Sequence, residues 1–384
     1  MFFADEPYIS DFFRTTLRDE SIPVAATPAA GNMELLEGTR IIDETEAVKI
    51  LRGQKYPLVY STSENAIEWM SANLGFTELP GRIDLFKNKV KFRKMTEKIF
   101  PGFFYRPVLF SDLGWLKLDD LPFPFIIKPA VGFFSMGVHL VTSPAEWPGI
   151  VDAINREMAE VKHLYPARVL DAETFIIEQC ITGEEFAVDA YYNAEGEAVV
   201  LNIMKHSFSS DSDVSDRVYT TSKKIIEANI DEFTVFLEKI GAAAGVKNFP
   251  VHAELRRGEG GLLLPIEVNP LRFGGWCTTA DIAFHAYGFN PYVYYYRQKK
   301  PDWPELLKNR EGRNFSIIVL DNSTGITGGD IVSFDYDKLL EHFSKPLELR
   351  KIDFTKYPVF GFLFTEAADA EIEYILNSDL SEFI

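Results

Sequence analysis

The sequence has few cysteines, an excess of acidic side chains and no long apolar run. Its two cysteines, Cys180 and Cys277, have neither the CxxC spacing nor the neighbouring histidines of a zinc site, and they suggest no disulfide framework. Asp and Glu number 57 against 39 Lys and Arg, and the resulting charge of -18 argues against binding to nucleic acid or anionic lipid. No apolar run approaches the roughly 18 residues of a membrane span, and residues 1–10 contain no basic signal region, so we expect a cytoplasmic protein.

Several catalytic signatures are also missing. The sequence contains no GxSxG, HExxH or GxGxxG, which argues against a serine hydrolase, a zinc protease and a dinucleotide-binding layer. Gly132 and Gly137 have the glycine spacing of a Walker A loop, but Val138 and His139 stand where that motif needs Lys and Ser or Thr. A P-loop site is therefore excluded.

What the sequence contains is an alternation of strands and helices. At about 100 to 200 residues per domain, 384 residues suggest roughly two or three domains. A basic helix is predicted over 84–100, a mobile polar loop over 206–222 and a long helix over 223–245. Further strands are predicted at 22–26, 39–42, 56–60, 124–128, 138–142, 174–180, 185–192, 198–206, 249–256, 262–269, 315–320 and 359–364, and further helices at 66–74, 144–164, 339–343 and 372–376.

One lysine ends an apolar strand beside a glycine-bearing loop. Lys128 closes the run Phe-Ile-Ile-Lys, and the glycines at 132 and 137 would let the backbone approach a polyphosphate closely. Ser135 adds a hydroxyl group and a backbone N–H in the same loop. The alternative is an ordinary hairpin turn whose lysine reaches solvent.

Acidic residues lie inside a predicted apolar hairpin. Strand alternation places His252 and Glu254 on one face of the first strand, and Glu267 and Asn269 on one face of the second. Two carboxylates near 4 Å repel by about 4 kcal/mol at an effective dielectric of 20, so they need a cation nearby. Carboxylate and amide oxygens suit Mg²⁺, which completes its shell with phosphate oxygens and water. The alternative is that these carboxylates face solvent or pair with neighbouring arginines.

Three sequence blocks, in this order, resemble the ATP-grasp superfamily of ATP-dependent ligases. The block FPFIIKPAVGFFSMGVHLV resembles the family's lysine-bearing strand and glycine-rich lid. The block FIIEQCITGEEFAVDAYY resembles its adenine hinge, and VHAELRR with LLLPIEVNPLRFGG resembles its metal-binding hairpin. The resemblance covers about residues 84 to 290. It implies an α/β (α+β) ATP-grasp fold in which two α+β subdomains clasp ATP. The implied parts are a small N-terminal pre-ATP-grasp domain over 1–83, a lid-bearing part over 84–181, a metal-binding part over 182–290 and a C-terminal α/β extension over 291–384.

The resemblance also implies an ATP site. Lys89 and Lys128 would contact phosphates or the adenine edge, the backbone from Glu178 to Ile181 would pair with adenine, and Glu185 would accept from ribose hydroxyls. Lys87, Lys91 and Lys94 remain alternatives to Lys89, whereas alternation turns Glu185 rather than Glu184 inward. The implied ATP-binding residues are Lys89, Lys128, Gly132, Ser135, Gly137, Glu178, Ile181 and Glu185.

The same resemblance assigns metal, catalytic and substrate residues. Glu254, Glu267 and Asn269 would hold Mg²⁺ (or Mn²⁺), and Arg272 and Lys128 would be catalytic. Members of the family often carry the arginine directly after Asn-Pro or Asn-Thr, whereas Leu271 displaces it here by one place, which a bulge could offset. A structural pairing of Arg272 with a nearby acid is the alternative. The substrate candidates, three of which could equally be exposed loop residues, are Lys205, His206, Arg217, Gly274 and Gly275.

The activity implied by the resemblance is a ligation that consumes ATP. A carboxylate would attack the γ-phosphoryl group, and an amine would then attack the acyl phosphate and release phosphate. The expected partners are small-molecule carboxylates and amines, with no nucleic acid and no membrane, and a homodimer is left open. The alternatives are a thiol acceptor, a bicarbonate-derived reaction, or a non-catalytic nucleotide-binding regulator.

Overall fold

The computed structural model describes residues 1–132, 137–161, 171–210, 216–258 and 260–384. These residues form three β-sheets with helices packed against them, which confirms the mixed α/β class predicted from the sequence. Within the same ranges, no helix is both long enough and apolar enough to cross a membrane.

A small parallel sheet forms the N-terminal layer. Its strands are β1 Phe2–Phe3, β2 Val24–Ala25, β3 Ile41–Ile42 and β4 Tyr60–Ser61, and the neighbouring helices are α1 Asp11–Asp19, α2 Pro28–Asn32, α3 Glu44–Leu51 and α4 Ala66–Asn73. The strand order is β3-β2-β1-β4. Each strand is two residues long, so alternation cannot predict β1, and the strand predicted at 56–60 is confined to Tyr60–Ser61.

The basic helix predicted over 84–100 is wrong, because two shorter helices occupy this region. Helix α5 spans Leu79–Lys87 and helix α6 spans Lys89–Thr96. Between them Asn88 has an extended backbone, and its side chain accepts a hydrogen bond from the backbone N–H of Lys91. Asparagine is a preferred N-cap, so it restarts the helix and makes Lys89 the first residue of α6.

A second, antiparallel sheet lies in the next part of the chain. Its strands are β5 Tyr105–Leu109, β6 Phe125–Val131, β7 His139–Val141 and β8 Asp171–Gln179, and helix α7 spans Trp147–Val161. The order is β5-β8-β6-β7, and buried Phe125, Trp147 and Phe175 belong to the apolar cluster beneath it. The sequence pattern does not predict β5, which contains Pro107. A proline is tolerated there because β5 is an edge strand.

The third sheet is the largest and is antiparallel. Its strands are β9 Glu184–Tyr192, β10 Ala198–Ser207, β11 Val218–Ser222, β12 Phe249–Arg257, β13 Leu263–Pro270, β14 Asn314–Asp321, β15 Pro346–Lys351 and β16 Val359–Glu366. Their order is β13-β12-β9-β10-β11-β14-β16-β15. The C-terminal strands therefore continue the sheet that carries the predicted metal hairpin. The remaining helices are α8 Lys223–Ala244, α9 Thr278–Tyr287, α10 Pro291–Tyr296, α11 Trp303–Leu306, α12 Tyr336–Leu340 and α13 Asp369–Asn377.

Strand β11 corrects part of the predicted polar loop at 206–222. Its residues pair with β10 on one side and β14 on the other. The hydroxyls of Thr220 and Ser316 are hydrogen-bonded at 2.8 Å, so a polar sequence is satisfied inside the sheet. Polar composition indicates a loop only when no partner strand supplies such bonds. Residues 211–215 lie outside the described ranges.

Candidate functional site

The predicted metal ligands lie together on the large sheet. Glu254 on β12 is directly opposite Glu267 on β13, and His252 is opposite Asn269. The side-chain amide of Asn269 donates to Glu267 Oε1 at 2.8 Å, which leaves its carbonyl oxygen available as a ligand. Both carboxylates are about one-third exposed. The structure thus brings two carboxylates and one amide to a single place.

The two carboxylates have different electrostatic surroundings. Burial, followed by the charges of Glu267 and Asp216, raises the pKa of Glu254 well above its usual range. Burial also acts to raise the pKa of Glu267, but Lys89 and the Asn269 amide outweigh it and lower that pKa. The pair therefore favours a positive charge beside Glu254.

This donor set fits Mg²⁺ when other oxygens complete the shell. The oxygens of Glu254, Glu267 and Asn269 are hard ligands, which Mg²⁺ and Mn²⁺ prefer. In the part of the chain that the structure describes, no group of three or more His, Cys, Asp or Glu side chains is arranged to hold a metal. A metal ion here would need ligands from outside the protein, such as phosphate oxygens or water.

Two predicted lysines lie close to this acidic pair. Lys89 Nζ is 4.0 Å from Glu267 Oε2, and burial lowers the pKa of Lys89. Lys128 on β6 is buried, and its Nζ lies 2.8 Å from Glu178 Oε2. The alternatives to Lys89 are accounted for otherwise: Lys87 pairs with Glu64, and Lys91 and Lys94 are exposed. Nucleotide binding by Lys89 and Lys128 stays a prediction.

Glu178 is saturated by cations. Its carboxylate accepts from Arg93 Nε at 2.7 Å and from Lys128, and although burial opposes ionisation, these cations lower its pKa to about 2. The N–H groups of Gln179 and Cys180 donate to Phe104 and Pro124 carbonyls, and Ile181 O accepts from Arg256. Several backbone groups predicted to pair with adenine are therefore already bonded within the protein.

Arg93 lies in the candidate site, although none of the sequence motifs includes it. Besides Glu178, its guanidinium donates to the carbonyl oxygens of Pro265 at 2.8 Å and Ile266 at 3.3 Å. It therefore links the second sheet to the strand that carries Glu267. Helical spacing could have indicated Arg93, because it follows Lys89 by four residues and therefore lies on the same face of α6.

Glu185 and Glu184 point to opposite faces of the large sheet, as predicted. Glu185 is buried and accepts from His206 Nδ1 at 2.9 Å and from Arg256 Nε at 2.8 Å. Glu184 is exposed and pairs with Lys205. A ribose hydroxyl at Glu185 would have to share the carboxylate with these two partners.

The three cationic substrate candidates separate in the structure. His206 lies on the same face as Glu185 and Arg256, and its ring stacks on Tyr219. Lys205 lies on the opposite face, because adjacent residues of a strand alternate. Arg217 donates to Asp321 and to the Ser378 carbonyl at 2.8 Å, so it binds the C-terminal region instead. Lys205 and Arg217 are not brought to the metal hairpin.

Arg272 contacts the N-terminal layer. Its Nη2 lies 3.3 Å from Glu64 Oε1, and Glu64 also pairs with Lys87. Burial opposes ionisation of Glu64, but these cations lower its pKa to about 2. The extra residue, Leu271, has a φ of 66°, and its carbonyl oxygen accepts from the N–H of Ser61 at 2.8 Å, three residues before Glu64. The catalytic role of Arg272 stays a prediction, and Glu64 is a neighbour that sequence spacing does not reveal.

The glycines of the predicted site differ in their contacts. The N–H of Gly274 donates to Asp189 Oδ1 at 3.0 Å and to Thr279 Oγ1 at 2.7 Å, so the prediction that it binds substrate is weakened. Gly275 is exposed. In the segment predicted to be a lid, Gly132 follows β6, and the N–H of Gly137 donates to Glu157 of α7 at 3.1 Å. Ser135 lies outside the described residues.

Comparisons with known proteins identify the architecture. Residues 121–280 match the family model of the ATP-grasp domain. The L-amino acid ligase from Bacillus licheniformis is 19% identical with a TM-score of 0.70, covering 100% of this chain and 97% of that chain. The N5-carboxyaminoimidazole synthase from Aspergillus clavatus, solved with ADP and 5-aminoimidazole ribonucleotide, is 13% identical with a TM-score of 0.65, covering 100% and 98%. The biotin carboxylase from Campylobacter jejuni is 9% identical with a TM-score of 0.63, covering 97% and 89%.

These identities are low, and the structural likeness shows a shared fold. A search of curated proteins finds no match.

Proposed function

Because the chain has the ATP-grasp fold, with an ATP-grasp domain over residues 121–280, we propose that it is an ATP-dependent ligase joining a carboxylate to an amine. The observation that carries the proposal is the Glu254–Glu267 pair, with the amide of Asn269 beside it and Lys89 within 4.0 Å of Glu267. Acidic and basic groups at this spacing suit a metal-bound polyphosphate.

The nucleotide would lie between the second sheet and the metal hairpin. Lys128 supplies positive charge beside Glu178 of the second sheet, and Lys89 supplies it beside Glu267 of the hairpin. Arg93 connects the two sides, because it contacts Glu178 and also donates to the Pro265 carbonyl of β13. Glu254, Glu267 and the Asn269 carbonyl would hold Mg²⁺, which when bound neutralises charge on the phosphate oxygens. The protein's contribution is position and counter-charge, so no nucleophilic side chain is required.

The proposed reaction has two steps. An oxygen of the substrate carboxylate attacks the γ-phosphorus of ATP, the bond from that phosphorus to the bridging oxygen breaks, and ADP leaves. The nitrogen of the amine then attacks the acyl carbon, inorganic phosphate leaves, and the nitrogen loses a proton to solvent. The products are an amide, ADP and phosphate.

Arg272 is the residue proposed to bind the acid or its acyl phosphate. A guanidinium can hold a carboxylate bidentately, and Arg272 already contacts one, that of Glu64. A substrate carboxylate would compete with Glu64 for this arginine, while Lys87 would keep Glu64 paired. This exchange lets the substrate enter without leaving an unpaired charge.

The test is ADP release from MgATP with a mixed pool of carboxylic acids and a mixed pool of amines. We expect Glu267→Gln to lower the rate on the order of a hundredfold or more, because a ligand of the phosphate-bound metal is lost. Glu238→Gln is the matched control, since Glu238 is exposed on α8. Mass spectrometry of the product identifies the acid and the amine.

Other outcomes assign other reactions. Release of AMP in place of ADP would contradict the acyl-phosphate mechanism. ADP release that requires bicarbonate would indicate a carboxylation, and ADP release that requires a thiol would indicate a thioester product. Tight MgATP binding with no ADP across both pools would indicate a nucleotide-binding regulator.

A further inference from the structure

The loop of residues 271–277 joins the metal strand β13 to helix α9. It carries Arg272 and both glycines assigned to the substrate side. Leu271, Trp276 and Cys277 in this loop have φ values of 66°, 57° and 58°. Left-handed backbone is unfavourable for residues with a Cβ and persists only where the surroundings hold it in place. Two such residues in succession, Trp276 and Cys277, therefore require a specific restraint.

The restraint at Trp276 comes from the C-terminal region. Arg350 of β15 donates from Nη1 to the carbonyl oxygen of Trp276 at 2.7 Å. Its Nη2 lies 2.8 Å from Asp281 Oδ2 and 2.9 Å from Glu348 Oε1. Arg350 is 4% exposed and Asp281 is 1% exposed, so these bonds are shielded from water. Because Asp281 is in the first turn of α9, one guanidinium fixes both the end of the loop and the helix that follows.

The Trp276 side chain is held by the same region. Its ring centroid lies 5.1 Å from that of Tyr357, which it meets edge-on, and 5.6 Å from that of Phe362 on β16, which it meets at a tilt of 46°. On the N-terminal side the ring also stacks on Tyr8 at 6.1 Å. The Arg350 guanidinium itself lies over the rings of Tyr8 and Phe364. Both the backbone and the side chain of Trp276 are therefore bound to residues beyond 345, which lie outside the matched ATP-grasp domain.

The opposite end of the loop has separate anchors. The N–H of Leu271 donates to the carbonyl oxygen of Pro250, and its carbonyl oxygen accepts from the N–H of Ser61. The N–H of Gly274 donates to Asp189 and Thr279. Glycine is required at 274, because a Cβ there would clash with the side chain of Thr279. The segment between Gly274 and α9 contains the exposed Gly275, whose carbonyl oxygen accepts from the Thr278 hydroxyl at 2.8 Å, and Trp276, whose carbonyl oxygen accepts from Arg350.

We propose that Arg350 is a positioning residue. It acts through the Trp276 carbonyl to keep Trp276 and Cys277 in their left-handed conformation, and thereby sets the backbone at Gly275 on the substrate side. Lysine cannot replace it, because the planar guanidinium reaches one carbonyl and two carboxylates at once, whereas an ammonium is a single point. This gives part of the region 291–384 a role in the geometry of the site. The substrate assignment of Gly275 rests on the proposed function.

The first experiment observes Trp276 directly. The protein is labelled with 5-fluorotryptophan, and Trp276→Phe assigns one of the five tryptophan resonances in the ¹⁹F spectrum. We expect Arg350→Lys to shift the Trp276 resonance while MgATP affinity is unchanged. Arg313→Lys is the control, because Arg313 pairs with Glu366 of the neighbouring strand β16 and does not contact the loop. The proposal is overturned if the Trp276 resonance does not shift in Arg350→Lys, or if Arg350→Lys also lowers the affinity for MgATP.

A glycine substitution tests the left-handed conformation. Glycine adopts positive φ without a Cβ penalty, so Cys277→Gly should make the loop less dependent on Arg350. We expect the shift caused by Arg350→Lys to be smaller in the Cys277→Gly background than in the parent. A shift of equal size in both backgrounds would show that Arg350 does not act on this conformation.

Kinetics provide a third measurement once an acid is known. Arg350→Lys should raise the KM of the acid on the order of tenfold, because small misplacements of a positioning group have effects of this size or larger, and the KM of ATP should not change. An equal rise in both would mean a general structural role. If the wild type releases no ADP with any acid, the proposed function fails, whereas the ¹⁹F and MgATP measurements still decide the role of Arg350.

Discussion

Glu254 and Glu267 are opposite each other on paired strands, yet their charge environments differ. Lys89 lies 4.0 Å from Glu267 Oε2, whereas the charges that act most strongly on Glu254 are those of Glu267 and Asp216. Without a metal ion, Glu254 is therefore the one of these two carboxylates whose charge is compensated less by the protein. Because of this difference, the two glutamates should affect the stability of the metal-free protein differently, although both are proposed to bind the same metal ion.

We predict opposite effects of the two glutamine substitutions on metal-free protein. At a pH above the raised pKa of Glu254, where both carboxyl groups are ionised, Glu254→Gln removes a like charge facing Glu267 and should raise the free energy of unfolding by about 1 kcal/mol. Glu267→Gln removes the partner of Lys89 and should lower it. Denaturant unfolding in the presence of a chelator measures both. With MgATP added, neither variant should gain the stabilisation seen in the wild type. Equal destabilisation by both variants in the chelator would contradict the asymmetry.

The buried ion pairs of Glu178 predict loss of stability in acid. Its pKa is lowered to about 2 in the folded protein, against an ordinary value of 4.5. A lowered carboxyl pKa contributes stability that is fully present above about pH 4.5 and is lost as the pH falls toward 2. For this buried group the contribution is about 3 kcal/mol, because one pKa unit corresponds to 1.36 kcal/mol.

Unfolding free energies measured between pH 6 and pH 2.5 test this expectation. At pH 6 the Glu178→Gln variant should have a lower free energy of unfolding than the wild type. The difference between the two free energies should become smaller as the pH falls toward 2.5. Glu238→Gln is again the control. Parallel pH profiles for the wild type and Glu178→Gln would show that Glu178 is not responsible.

Two adjacent glycines should respond differently to alanine. A Cβ on Gly274 would clash with Thr279, so Gly274→Ala should lower the free energy of unfolding by about 2 kcal/mol. A Cβ on Gly275 would have no heavy atom within 4 Å, so Gly275→Ala should change stability little. Thermal or denaturant unfolding of both variants provides the measurement. Similar losses for both would mean that the contact with Thr279 does not determine the requirement for glycine.

Local pattern was sufficient for the hairpin that carries the predicted metal ligands. Alternation places Glu254 on one strand and Glu267 and Asn269 on the next, and the structure pairs them in that register. Alternation also separates Glu184 from Glu185 correctly. These predictions succeed because the period of a strand is a property of neighbouring residues and does not depend on the rest of the chain.

Local pattern failed where a single residue or a distant strand decides the structure. Asn88 divides the predicted basic helix by capping α6, and the polar residues of β11 form a strand because β10 and β14 flank them. In both cases the polar side chain or backbone finds a hydrogen-bond partner that composition does not indicate.

The sequence by itself determined the strand pattern, the acidic hairpin, the lysine before the glycine loop and the resemblance that they carry. Only the tertiary structure decided how the cations are used: Arg93 binds Glu178, Arg272 binds Glu64, and Arg217 binds the C-terminal region. It also decided that Arg350 reaches the loop of residues 271–277. Periodicity acts over a few residues, whereas these partners are 69 or more residues apart along the chain and meet only because the chain path brings them together.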